Sequence, residues 1–208
     1  LDNGWVNEIQ IETKDSEQLH AFYYPQPQST CALLYLHGNA GSAYRRVDRL
    51  RPIADLGCNL LLLSYRGYGK STGRPTEQGV YLDARAALNY LKEQGFETQQ
   101  TIVLGRSVGA AVAVDLAQDQ AIGGLILVTP FSSGRDLARA QGLGFALWLI
   151  GEPFDSQAKL ARVSAPILVV LAGQDRAVPA ALGKKLFAAY NGQKEQVLLE
   201  EAAHNDIM

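Results

Sequence analysis

Apolar and polar side chains alternate from Trp5 to Thr13, the period-two signature of a half-buried strand. Asp15-Ser16-Glu17 offers a turn and Gln18 to Tyr24 reads as a second extended run, so the chain is predicted to open with a hairpin. After a connector holding Pro25 and Pro27 the pattern changes. Cys31 to Leu36 is a nearly continuous apolar run of strand length, as expected of a strand covered on both faces. Ser42 then reads as the cap of a helix running through Leu56, with Val47, Leu50, Ile53 and Ala54 on one face and Gly57 closing it.

The same grammar recurs along the chain. Asn59 to Ser64, Thr101 to Leu104 and Gly124 to Val128 are apolar runs, and helical patterns at 77 to 94 and 107 to 118 follow the first two. The stretch from Phe131 to Arg162 breaks this rhythm with short helical candidates interrupted by glycine. Pro166 to Leu171, a helix near 179 to 190, and Gln196 to Leu199 complete the pattern. Eight strands alternating with helices specify an α/β fold on a mostly parallel sheet. Without an internal repeat, low-complexity tract or linker, residues 1–208 are expected to form one domain, with a small cap segment at about 131–162.

Composition narrows the function classes. The 208 residues are 47% hydrophobic and 19% charged, which fits a filled core and excludes intrinsic disorder. A formal net charge of −2 gives no general attraction for nucleic acid. Two cysteines, Cys31 and Cys58, are too few for a disulfide scaffold and lack the clustered spacing of a zinc site. They precede adjacent predicted strands, so proximity is plausible, but a bond demands specific Cβ geometry and free thiols are the expectation. The longest apolar run, Gly142 to Ile150, is too short to span a bilayer. The chain starts at Leu1 without an initiator methionine, as expected of a form trimmed of a signal or anchor; its compartment and oligomeric state are not legible.

Candidate chemistry centres on Gly105-Arg106-Ser107-Val108-Gly109, set between a predicted strand and a predicted helix. This is the pattern of a nucleophile elbow, where small residues two before and two after the serine let neighbouring backbones close in while the hydroxyl is lifted clear. A serine hydroxyl needs a base within hydrogen-bond reach and a third group to orient that base. Of the three histidines, His20 falls in the opening hairpin and His37 in the glycine loop after a strand, which leaves His204, after the last strand, as the base. Asp175, in the turn after the strand ending at Leu171, is the orienting acid. Ser107, Asp175 and His204 follow predicted strands at their carboxyl ends, where open α/β sheets place their sites. The oxyanion donors are expected to be the backbone N–H groups of Val108 and of Asn39, in the loop His37-Gly-Asn-Ala-Gly41. That loop has neither a Walker lysine nor G-x-G-x-x-G spacing, so no nucleotide site is expected.

These residues bring the chain into resemblance with the α/β-hydrolase superfamily, and within it with compact serine hydrolases that include protein depalmitoylases and bacterial esterases. The resemblance is carried by Leu36-His-Gly-Asn-Ala-Gly-Ser42, by Ser64-Tyr-Arg-Gly-Tyr-Gly-Lys-Ser-Thr-Gly73, by the elbow around Ser107 and by the Asp175 and His204 loops. It implies a mostly parallel eight-stranded sheet with an antiparallel second strand, Ser107 as nucleophile, His204 as base and Asp175 as acid, with no cofactor and no metal. Arg66 is expected to brace neighbouring loops. The resemblance also implies a terminal helix, whereas four residues follow His204.

The expected activity is hydrolysis of a carboxylic ester or thioester through an acyl-enzyme. The expected substrate is a small molecule or acylated partner with a hydrophobic acyl group, received under an apolar cap if Phe145, Trp148 and Leu149 face the pocket; packing of these side chains on the sheet is the simpler reading. A peptidase with the same triad and a noncatalytic hydrolase-fold binding protein are the alternatives. Arg45, Arg46, Arg49 and Arg51 cluster on one predicted helix; solvated surface charge is the simpler reading, contact with an anionic membrane surface the other.

Overall fold

The computed structural model describes residues 6–39, 43, 46–143 and 154–207. Its centre is an eight-stranded sheet of β1 (Asn7–Glu12), β2 (Gln18–Tyr24), β3 (Ala32–Leu36), β4 (Asn59–Leu63), β5 (Thr101–Arg106), β6 (Gly124–Val128), β7 (Ile167–Ala172) and β8 (Lys194–Leu199). The order is β1-β2-β4-β3-β5-β6-β7-β8. β2 is antiparallel to both β1 and β4, and every other pairing is parallel. β5 and β8 run two residues longer than their apolar runs, because Gly105 and Arg106 pair with Leu127 and Val128, and Lys194 with Ile167.

The two faces of the sheet are read directly from alternation. Leu34, Leu36, Leu61 and Leu63 pack with α2 (Glu77–Glu93) and α3 (Val108–Asp119), and Leu33, Tyr35, Leu60 and Leu62 pack on the other face against Val47, Leu50 and Ala54. Every residue of β3 and β4 is buried, as the continuous apolar runs require. α2 is capped by Thr76, whose hydroxyl accepts from the Gly79 N–H at 3.1 Å.

Over its described residues, the helix expected from Ser42 to Leu56 is shorter than its apolar spacing suggests. Ser42 lies outside the described residues, and from residue 46 onward the described helix is limited to a 3₁₀ turn at Asp48–Leu50 and α1 (Arg51–Ala54). Pro52 sits in the first turn of α1, where a missing N–H costs nothing, and it cannot donate to a helix continuing from upstream. Cys31 and Cys58 are bonded to each other, contrary to the expected free thiols. The parallel register pairs Ala32 with Asn59, which sets the two preceding residues side by side with Cα atoms 4.9 Å apart.

Between β6 and β7 the described residues form α4 (Gly134–Ala140) and α5 (Ser156–Leu160). The apolar centre of the expected cap, from 144 to 153 and so including Phe145, Trp148 and Leu149, lies outside the described residues. α5 is tied down by Lys159, which bridges to Asp115 at 2.7 Å and donates to the Tyr81 hydroxyl at 2.7 Å. The Phe154 N–H donates to Glu77 at 2.9 Å, so this segment rests on α2. α6 (Ala180–Ala189) then covers β7, with Leu186 in the core. Arg66 braces as expected. Its guanidinium binds Asp15 in the first turn at 2.7 and 2.9 Å and Asp83 of α2 at 2.8 Å. Its own N–H also donates to Asp83 at 2.8 Å. The buried Asp83 carboxylate is thereby compensated from two directions.

Candidate functional site

Ser107 occupies the junction between β5 and α3 with φ 54° and ψ −118°, a conformation that a side-chain-bearing residue adopts only under constraint. The Ser107 N–H donates to the Val128 carbonyl at 2.9 Å, and its carbonyl accepts from Ala110 at 2.9 Å. The flanking glycines make the turn sterically feasible. A Cβ on Gly105 would lie 2.2 Å from the Gly109 oxygen, and one on Gly109 would lie 2.1 Å from the Leu36 oxygen. Both contacts are far inside van der Waals range, so the small residues of the motif are dictated by backbone approach.

The loop after β3 runs beside this turn, since a Cβ on Gly38 would sit 3.3 Å from the Ser107 Cβ. Asn39 comes next, and its side-chain oxygen accepts from the Tyr68 hydroxyl at 2.8 Å. His37 is fully buried and packs against Tyr65 and Tyr68. Its Nε2 accepts from the Tyr65 N–H at 3.4 Å, which leaves Nδ1 as the donor to the Gly38 carbonyl at 2.6 Å. Burial pushes the imidazole down to about 4, so His37 is a neutral brace for the loop.

Asp175 and His204 come together on loops that are stitched by backbone bonds, Gly173 N–H to Leu199 and Gln174 N–H to Ala202, at 2.8 and 2.9 Å. The buried Asp175 carboxylate accepts from the Ala177 and Val178 N–H groups at 2.9 and 2.7 Å through Oδ1. Its Oδ2 lies 2.6 Å from His204 Nδ1. A carboxylate already filled by donors on one oxygen accepts from Nδ1–H on the other, which leaves His204 Nε2 with its lone pair available. His204 itself is held by Arg106, whose Nη2 donates to the His204 carbonyl and to the Asn205 side chain, the latter at 3.0 Å. Sequence reasoning missed Arg106. Its only signal was its position inside the elbow motif, where the pattern accepts any residue.

Ser107, Val108, Asn39 and His204 all line one cavity of about 520 Å³ at the carboxyl edge of the parallel strands. Arg46 and Arg49 line the same cavity together with Arg106, so two of the four clustered arginines face the site and are not merely solvated surface charge. Arg45 lies outside the described residues. A second cavity of about 390 Å³ shares Gly38, Asn39, Val108 and Leu137 with the first and is walled by Tyr65, Tyr68, Val80, Phe131 and Phe154. Among the described residues, no group of three or more His, Cys, Asp or Glu side chains is arranged to hold a metal ion, and no helix is long and apolar enough to cross a membrane.

Comparison with known proteins places this geometry in a lineage. The family model described as the alpha/beta hydrolase fold matches residues 32–163. An uncharacterized protein of Mycobacterium tuberculosis is 36% identical over 203 residues, covering 96% of this chain and 72% of that protein. The alpha/beta hydrolase domain-containing protein WAV2 of Arabidopsis thaliana is 32% identical over 216 residues, covering 93% of this chain and 70% of its own length. Among solved structures, the Pyrococcus furiosus esterase Pf2001 superposes with a TM-score of 0.78 at 21% identity, covering 96% of this chain and 82% of the other, a likeness of fold. With an elbow between β5 and α3, an antiparallel second strand and a family match over more than half its length, the chain belongs to the α/β-hydrolase fold family.

Proposed function

We propose that this chain is a serine hydrolase that cleaves carboxylic esters or thioesters through an acyl-enzyme, with Ser107 as nucleophile, His204 as general base and Asp175 as the group orienting it. The observation that carries this reading is that Ser107 and His204 line one cavity while His204 Nδ1 lies 2.6 Å from Asp175. His204 Nε2 removes the Ser107 proton as Oγ bonds to the acyl carbon, and the carbonyl electron pair moves onto oxygen. The Val108 and Asn39 N–H groups receive that oxyanion, a donor pair in which each member is worth roughly two to three decades in rate. Collapse breaks the bond to the alcohol or thiol, which leaves with the proton from His204. Water then attacks the acyl-enzyme by the same route in reverse. These steps need only the chain's own groups and water, with no cofactor or metal.

The apolar cavity walled by Tyr65, Val80, Phe131 and Phe154 supports a hydrophobic acyl group as the substrate's invariant part. The segment between β6 and β7 acts as a small cap over this cavity, since Leu137 and Phe154 belong to it. The test is labelling by a fluorophosphonate, with Ser107→Ala as control, and then turnover of ester, thioester and peptide panels of increasing acyl length. Labelling that depends on Ser107, with ester or thioester turnover exceeding amide turnover, is the expected result. Labelling that survives in Ser107→Ala overturns the nucleophile; absence of labelling in the native protein favours a binding protein on the hydrolase fold.

A further inference from the structure

The two cavities meet at Asn39 and Val108 but differ in chemistry, and that difference orients the substrate. His204 lines the larger cavity and is absent from the wall of the apolar one. A general acid must reach the departing atom, so the leaving group lies on the side of His204 and the acyl chain on the other. The leaving-group side carries Arg46, Arg49 and Arg106, and among its described lining residues there is no Asp or Glu. We propose that this wall is an anion subsite, and that the preferred substrate is an acyl ester or thioester whose alcohol or thiol portion bears a phosphate or carboxylate. This inference rests on the assignment of Ser107 and His204 above.

Two features of Arg106 agree with a concentrated positive field. It is buried, and its acceptors are the His204 carbonyl and the Asn205 amide oxygen, both neutral groups. Burial lowers its proton affinity, and the charges of Arg46 and Arg49 lower it further, against the opposing pull of Tyr35 and Asp175. Guanidinium groups gathered around a concave surface at this density are stabilised when an anion enters, and planar donors suit phosphate and carboxylate oxygens. The same field accelerates encounter with anionic substrates and weakens with salt.

The experiment compares substrates matched in acyl chain and differing in charge. One arm uses S-butanoyl pantetheine against S-butanoyl 4′-phosphopantetheine, both soluble; the other uses a monoacylglycerol against the lysophosphatidic acid of the same chain. The expected result is a kcat/KM preference of about tenfold or more for the phosphorylated member of one arm, from charge-assisted hydrogen bonds. The arm that shows it identifies the source of the phosphate as a soluble thiol or a lipid headgroup. In Arg46→Gln/Arg49→Gln the preference collapses toward unity; because it is a ratio within one sample, partial loss of folded protein cancels. Binding of free 4′-phosphopantetheine to Ser107→Ala, with and without the arginine substitutions, is measured calorimetrically alongside. Equal rates within both pairs, or a preference that survives the arginine substitutions, overturns the subsite while leaving Ser107 as nucleophile. Arginine-dependent binding without Ser107-dependent turnover of any substrate supports the subsite and overturns the hydrolase reading instead.

Discussion

Arg106 donates to the backbone carbonyl of His204, so the residue immediately before Ser107 grips the loop that carries the histidine. A side chain at the end of β5 thereby ties the turn at Ser107 to the loop after β8, three strands away in the sheet. Arg106→Ala is expected to lower kcat for a neutral short-chain ester about 10- to 100-fold with little change in KM, because misplacement of a catalytic group affects the transition state more than the bound ester. Arg106→Lys should restore part of the loss. Steady-state kinetics and the rate of fluorophosphonate labelling check this; unchanged labelling in Arg106→Ala would show that His204 needs no such grip.

Tyr68 performs a smaller service for Asn39. Its hydroxyl bond to the Asn39 side chain ties the loop after β3 to the loop after β4. Tyr68→Phe removes one neutral hydrogen bond worth about 1 kcal/mol, which corresponds to roughly a fivefold fall in kcat if the loop's N–H supplies the oxyanion donor. Asn39→Ala should lower kcat by a similar amount, and the double variant should cost less than the two added together.

His37 makes stability depend on pH. Its folded value of about 4 lies below the ordinary 6.5, with burial as the main cause. As pH falls the unfolded chain binds this proton first, so the contribution is fully present above about pH 6.5 and is lost progressively down to about pH 4. At about 1.4 kcal/mol per unit the loss is roughly 3 kcal/mol. Urea unfolding at pH 7 and pH 4.5 should show a smaller decline for His37→Gln than for the native chain. Parallel declines in the two proteins would remove His37 as the source.

Reduction of the bond between Cys31 and Cys58 should destabilise the protein without changing its chemistry. The bridge closes a loop with a sequence separation of 27, for which constraint of the unfolded chain amounts to about 3 to 4 kcal/mol. Both cysteines precede their strands, at the end of the sheet remote from Ser107. Cys31→Ser/Cys58→Ser is therefore expected to lower Tm by several degrees while kcat/KM at 25 °C stays within about twofold.

How much of this was legible depends on whether the determinant was local. The strand-turn-helix pattern around Ser107 depends on contacts within a few residues or with one neighbouring strand, and the structure has that turn between β5 and α3. The order of Ser107, Asp175 and His204 came from placing each after a strand, and the described geometry brings Asp175 and His204 into contact. The bond between Cys31 and Cys58 was missed because it depends on the exact register of β3 against β4, which periodicity does not fix. The helix expected from Ser42 to Leu56 is, in its described part, confined to residues 48–54, a limit that apolar spacing does not set. The Arg106 contact spans 98 residues and leaves no trace in local pattern. Arg46 and Arg49 looked like solvent-facing charge for the same reason: only the packing of Val47 and Leu50 under the sheet turns them toward the cavity.

The parallel register of β3 and β4 separates durability from chemistry along the strand axis. The covalent clamp sits where these strands begin, and the loops that hold Asn39 and Tyr68 leave where they end. Changes in the rim loops can thus alter the site without loosening the scaffold, and a more reducing environment would soften the base of the sheet before it disturbed the rim.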